Sequence, residues 1–167
     1  MPEGASRPRV TTCLWFDGRI DEAAALYTSL IPGSRILERS EYPPQEGEHP
    51  GGESVPEPGA PLVIEIELAG SPYMLLNGGP HFTLTEAASI AVTVEGQEEV
   101  DRLWDALTAD GGAPSQCGWL RDRFGLSWQI IPSRLNELLA GPAAAAVNAE
   151  MLTQTKLDIA RLEAAAL

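Results

Sequence analysis

The side chain best placed to move a proton is Glu65, in the middle of the alternating run Leu62 to Leu68. Leu62, Ile64, Ile66 and Leu68 fall on one side and Val63, Glu65 and Glu67 on the other, the period of a half-buried strand. If the aliphatic side packs in a core, Glu65 and Glu67 face the other way. A carboxylate in apolar surroundings can take and release a proton near neutral pH. A solvated or Arg-paired acid is the plainer alternative for both, and Glu65 is the stronger candidate. Trp119 and Trp128 flank the turn Asp122-Arg123-Phe124-Gly125 and could wall a planar or cationic ligand, although core packing is the commoner use of Trp. Asp122 and Arg123 read as turn and surface charges. Cys13 and Cys117 lie far apart, make no metal-type pair, and read as inert thiols. His49 falls in a loop and His81 just past a strand, so both read as solvated rather than as ligands.

These residues need elements to hold them. Val10 to Phe16 is a β-prone run broken by Asp17-Gly18, and a helical face follows in Ile20, Ala23, Ala24, Leu26, Tyr27, Leu30 and Ile31, stopped by Pro32-Gly33. Ser34 to Glu41 is a second strand, and the Pro-, Gly- and Glu-rich stretch 42–61 a long loop. Leu62 to Leu68 and Tyr73 to Leu76 make a hairpin through Ala69-Gly70, closing a βαβββ module over 9–80. The pattern returns over 87–132: strand Ser89 to Val94, helix Glu98 to Ala109, two short strands between Pro114 and Arg121, then Leu126 to Ile131. Glu22-Ala23, Leu26-Tyr27 and Leu30 match Glu99-Val100, Leu103-Trp104 and Leu107 at a constant offset of 77 residues, as Glu22 to Glu99 shows. Each helix follows a strand ending in an acidic-Gly turn, so duplication is the reading. Residues 133–167 form a helical tail: Leu135, Leu138 and Leu139, a Gly141-Pro142 break, then an Ala-rich helix whose face of Leu152, Ile159, Leu162 and Ala166 must dock on the body or on a partner.

Composition limits the partners. With 24 acidic residues against 11 basic ones the formal charge is −13, which repels nucleic-acid phosphates and anionic lipid and leaves solubility or a cationic ligand as its uses. Met1 to Pro8 is polar, and no apolar run is long enough to span a bilayer, so the expected place is the cytoplasm, where the thiols stay reduced.

Several segments carry a family resemblance. Thr11 to Gly18 with Glu22-Ala23 and Leu26-Tyr27, then Leu76 to Pro80, Glu98 to Asp101, and above all Cys117-Gly118-Trp119-Leu120-Arg121-Asp122-Arg123-Phe124-Gly125-Leu126-Ser127-Trp128-Gln129, resemble the PhnB-like branch of the vicinal-oxygen-chelate superfamily. The tail from Met151 to Ala160 is similar to that branch as well, so the match leaves out little but the Pro/Gly loop. The resemblance implies an α+β chain, 1–167 as one domain, of two tandem βαβββ modules whose curved sheets form a cup, plus the C-terminal helix. Members are often labelled demethylubiquinone methyltransferases. No strand-to-helix turn here is Gly-rich in the way a methyl-donor cofactor needs, and no cofactor is expected.

Metal-dependent members of the superfamily hold a divalent ion with His, Glu or Gln from four strands, leaving positions where two substrate oxygens chelate. The equivalent places are near Thr12, Leu76 or Asn77, Ser89 and Gln129, and only Gln129 is a usual ligand. A hydroxyl and an amide are neutral, weak donors, so no metal is expected. Thr12, Asn77, Ser89 and Gln129 at those places would give a neutral, hydrogen-bonding floor, with Trp119 and Trp128 as candidate walls, and Glu65 stands where the resembling branch usually has a Glu. Three functions follow. The first is a metal-free binder of an unidentified small molecule. The second is a glyoxalase- or dioxygenase-like enzyme with an unconventional metal or a metal-free proton-transfer site. The third is a scaffold whose role is homodimer assembly. The binder leads, and a homodimer is expected with it because sheet edges and an apolar tail invite a second subunit.

Overall fold

The alternation at Leu62 to Leu68 is a strand in the computed structural model, which describes residues 8–43 and 59–167. The chain separates into two compact units, Met1–Thr83 and Leu84–Leu167. Most of the loop expected over 42–61, with His49, lies outside the described residues.

In the first unit β1 (Thr12–Phe16), α1 (Ile20–Leu30), β2 (Arg35–Glu41), β3 (Pro61–Leu68) and β4 (Ser71–Asn77) follow in order, and the strands form one sheet ordered β1-β4-β3-β2. The turn between β3 and β4 uses Ala69 at φ 46 and Gly70 at φ 88. Two consecutive positive φ values match the right-handed twist of a tight hairpin. The Ala69 N–H donates to Ser34 Oγ at 3.1 Å, which helps hold a conformation that alanine adopts reluctantly. α1 buries Ile20, Ala23, Ala24 and Tyr27 against Leu14, Phe16, Ile64, Ile66 and Leu75. Each aliphatic side chain buried there is worth about 1.5–3 kcal/mol.

In the second unit β5 (Ser89–Val94), α2 (Gly96–Thr108), β6 (Ala113–Pro114), β7 (Trp119–Arg121) and β8 (Ser127–Pro132) give a sheet ordered β5-β8-β7-β6. In both sheets the first strand of the unit pairs parallel with the last, and the other pairs are antiparallel. The identical wiring is what a duplicated unit produces. α2 buries Val100, Leu103, Trp104 and Leu107 over Ile90, Leu120, Trp128 and Ile130.

The tail breaks at Gly141-Pro142 as expected, after α3 (Ser133–Leu139), but the one Ala-rich helix expected beyond it is two short ones, α4 (Ala144–Met151) and α5 (Ile159–Ala164). Leu152 is exposed, not on a buried face, while Val147, Leu157 and Leu162 close a small core with Leu135. The break has a backbone cause. The N–H groups of Cys117 and Gly118 donate to the carbonyls of Gln154 and Thr155, both at 2.8 Å, so this stretch must be extended. The buried Gln154 side chain then accepts the Asp158 N–H at 2.7 Å, where a helix would have used a carbonyl. Lys156 ties the same segment to α2 through Asp101 at 2.7 Å, and Gln97 accepts the Ile159 N–H at 2.9 Å. No helix among the described residues is long and apolar enough to cross a membrane.

Candidate functional site

Directly opposed residues on paired strands share a face, so the register sorts the candidates. In the first sheet Leu14, Phe16, Ile64, Ile66 and Leu75 lie under α1, and the residues between them face away: Cys13 and Trp15, Glu65 and Glu67, Met74 and Leu76. Thr12 has the parity of Leu14 and Phe16 and so stands on the α1 side, contrary to the floor position given to it. One residue of register is enough to exchange the two faces.

Asn77 departs from the floor as well. It is 8% exposed at the end of β4, and both ends of its side-chain amide are bonded to backbone groups. Oδ1 accepts the Gly18 N–H at 3.0 Å, Nδ2 donates to the Pro61 carbonyl at 3.1 Å, and the Asn77 carbonyl accepts the Tyr42 hydroxyl. The side chain thus ties the end of β4 to the turn before α1. Beside it Trp15, on the open face, donates its indole N–H to the Gly79 carbonyl at 2.9 Å and meets Phe82 edge-on at 4.9 Å. Gly78 lies flat on that indole: a Cβ there would stand 2.2 Å from the ring.

Glu65 does face away from α1, but not as a lone acid. Its Oε2 is paired with the Arg9 guanidinium, and Glu67 pairs with Arg35 at 3.0 Å. The register also sets Glu65 opposite Glu38 of β2 and Met74 of β4. The plainer of the two sequence readings, an Arg-paired carboxylate, describes the arrangement.

In the second sheet Ile90, Leu120, Trp128 and Ile130 are on the α2 side, and Ser89, Trp119, Arg121, Ser127 and Gln129 on the other. Two expected neighbours meet there: Gln129 Nε2 donates to Ser89 Oγ at 2.9 Å. Trp119 lies directly across from Gln129 on β7. Trp128 is a correction. It is wholly buried, opposite Leu120 and Ile90, and cannot be a ligand wall.

Asp122 also corrects the surface reading. It is 1% exposed; Oδ1 accepts the Phe124 and Leu126 N–H groups at 2.8 and 3.0 Å, and Oδ2 accepts the Trp128 indole N–H at 2.9 Å. A buried carboxylate with three donors closes the β7–β8 turn and seats the core Trp. Arg123, paired with Asp110 and lying over the Phe124 ring at 5.5 Å, is part of the same corner. Sequence reasoning passed over Arg121 and Ser127. They oppose each other on the open face, and the alternation of Trp119-Leu120-Arg121 against Ser127-Trp128-Gln129 was the signal for them.

The superfamily's divalent ion does not fit this donor set. Thr12 is on the wrong face, Asn77 is spent on backbone groups, and Ser89 and Gln129 are neutral and bonded to each other. Among the described residues no three His, Cys, Asp or Glu side chains gather as a metal site.

The fold agrees with those of similar proteins from Bacillus cereus and Pseudomonas aeruginosa. The family model described as 3-demethylubiquinone-9 3-methyltransferase matches residues 8–131. Among solved structures, a PhnB protein from Bacillus cereus with the same methyltransferase description is 32% identical, with a TM-score of 0.63 over 75% of this chain and 100% of that one. A protein from Pseudomonas aeruginosa is 20% identical, with a TM-score of 0.58 over 75% of this chain and 98% of that one. A glyoxylase/bleomycin resistance protein/dioxygenase domain from Frankia sp. is 16% identical, with a TM-score of 0.45 over 76% of this chain and 93% of that one. Among curated proteins nothing matches.

The family's description names a methyl transfer, which calls for a methyl-donor cofactor. The strand-to-helix turns here do not fit one. Each holds a single glycine, Gly18 or Gly96, and leads into a first helical turn carrying two acids, Asp21 and Glu22 or Glu98 and Glu99. Those acids already answer the helix dipole, and the Gly18 N–H is taken by Asn77. The matched span, the sheet wiring and the relative at 32% identity together place the chain in the 3-demethylubiquinone-9 3-methyltransferase family, the PhnB-like branch of the vicinal-oxygen-chelate superfamily.

Proposed function

We propose that the chain binds a small polar molecule on the open face of its second sheet, with no divalent ion at the centre. The observation that carries this reading is the Ser89–Gln129 hydrogen bond at 2.9 Å, opposite Trp119. Gln129 donates to Ser89, which leaves the Gln129 amide oxygen as an acceptor and the Ser89 hydroxyl proton as a donor. A fixed pair offering both kinds of hydrogen bond, beside an aromatic plane, is the make-up of a small-molecule site. A thermal-shift screen of small polar aromatic compounds, repeated on Gln129→Ala, tests it. Hits that stabilise the native chain and not the variant support the reading, and equal shifts in both remove it.

An enzyme is the alternative, and its base is Glu65. The Arg9 pairing weighs against it, because a proton acceptor there has first to release the guanidinium. Turnover that disappears in Glu65→Ala restores the enzyme reading. A homodimer belongs to the proposal. β2 is an edge strand exposed along its whole length, with Ile36 and Leu37 49% and 41% exposed, and such edges are commonly covered by a second copy. A light-scattering mass at the monomer value across concentrations refutes it. The free, exposed thiol of Cys13 fits a reducing compartment, hence the cytoplasm.

A further inference from the structure

In a chain of formal charge −13, basic side chains rarely lack a carboxylate, and here the exception stands on the candidate face. Among the described residues every other Lys and Arg side chain lies in an ion pair, and Arg121 does not. Arg121 is exposed, opposite Ser127 on β8, and Ser127 is opposite Ser89 on β5, so the three side chains form one row on the face turned away from α2. Ser127 is 1% exposed, and its Oγ has no hydrogen-bond partner among the described residues. A buried hydroxyl left unpaired costs about 1–3 kcal/mol, so its presence here asks for a use. β5, β7 and β8 read SIAVTV, WLR and SWQIIP, without one acidic residue. The first sheet's open face, by contrast, sets Glu65 and Glu67 against Arg9 and Arg35.

We propose that this row is an oxyanion seat: the Arg121 guanidinium and the hydroxyls of Ser127 and Ser89 receive the carboxylate or phosphate-type head of the ligand, and Trp119 flanks its body. The guanidinium fork presents parallel N–H donors that match two oxygens of such a head. Side chains directly opposite on paired strands are about 5 Å apart at Cβ, so one head group spans Arg121 and Ser127. The spare N–H of Gln129 and the Trp119 indole N–H, which makes no hydrogen bond among the described residues, add donors and no negative charge. The field of the whole chain repels anions, but it is screened beyond about 8 Å in physiological salt, which leaves the local charge to decide.

The inference deepens the binding proposal and rests on it, and the test separates the two. Benzoate and phenylphosphate are the anionic probes, benzamide and benzamidine the neutral and cationic ones of the same shape, and inorganic phosphate the head alone. Each is titrated calorimetrically into the native chain, Arg121→Gln, Ser127→Ala and, as a surface control, Arg134→Gln. The expected result is binding of an anionic probe at least tenfold tighter than benzamide. That preference is lost in Arg121→Gln, weakened several-fold in Ser127→Ala and kept in Arg134→Gln. Benzoate against phenylphosphate, with phosphate alone, tells which head is preferred. Equal binding of benzamide or benzamidine, unchanged in Arg121→Gln, overturns the seat and leaves the polar-ligand reading standing. No binding by any probe overturns the seat, and the compound screen on Gln129→Ala then judges the broader reading by itself.

Discussion

Asp122 holds Trp128: the carboxylate at the β7–β8 turn accepts the indole N–H of the central core Trp at 2.9 Å while its other oxygen ties down the backbone of Phe124 and Leu126. Both residues are fully buried, and together they fix where β8 begins. Strand alternation then sends Ser127 and Gln129 to the open face and Trp128 to the core. The site residues are placed by a pair that does not belong to the site.

Asp122→Ala therefore removes the acceptor of the Phe124 and Leu126 N–H groups and of the buried Trp128 indole N–H. The expected destabilisation is about 3–5 kcal/mol in urea denaturation. In Trp128→Phe, which has no N–H to strand, the added cost of Asp122→Ala falls by about 1 kcal/mol or more. Strictly additive losses contradict the pairing.

Gly118 is the hinge of the tail contact. Its φ is +83, and a Cβ there would meet the Ile130 carbonyl at 2.9 Å and the Leu157 side chain at 3.0 Å. Gly118→Ala is expected to cost about 2–4 kcal/mol through backbone strain and a displaced Leu157. Faster hydrogen exchange over 152–158 than over β8 is the check, and uniform exchange across the unit counts against a local hinge.

The Asp101–Lys156 contact makes part of the tail docking depend on pH. The hydrogen bond from Lys156, aided by one from Gln97, holds the Asp101 carboxyl below the ordinary aspartate range, and the same contact raises the Lys156 ammonium above its own. A lowered carboxyl contributes stability that is present above its unfolded value and lost as pH falls through the folded one. A raised lysine contributes below its unfolded value and loses it as pH rises through the folded one. Both groups are substantially exposed, so Asp101→Asn should cost only about 0.5–1 kcal/mol at neutral pH. The difference from the native chain should shrink in acid, below the aspartate range. A difference that stays constant there places the effect elsewhere.

What the sequence revealed followed periodicity. The alternation of Leu62 to Leu68 marked β3 and both of its faces, and the helical spacing of Ile20, Ala23, Ala24 and Tyr27 marked the buried stripe of α1. The chemistry of single positions was harder to see, because it depends on one residue of register. Thr12 and Cys13 differ only in parity, yet they stand on opposite faces. Asn77 looks like a free amide in sequence and is consumed by backbone groups of Gly18 and Pro61, contacts 59 and 16 residues away. The tail pattern was misread because the carbonyls of Gln154 and Thr155 are recruited by Cys117 and Gly118, a long-range demand that local helix propensity does not display.

The proposed polar site is built on Ser89, Gln129 and Trp119 and works without a bound divalent ion. Its most direct test is calorimetric titration of the best compound from the screen into the native chain and into Gln129→Ala, each with and without excess chelator. Affinity is expected to be unchanged in chelator and to fall about tenfold in the variant, the scale of one hydrogen bond to ligand. Binding that disappears on chelation, or that ignores Gln129→Ala, contradicts it.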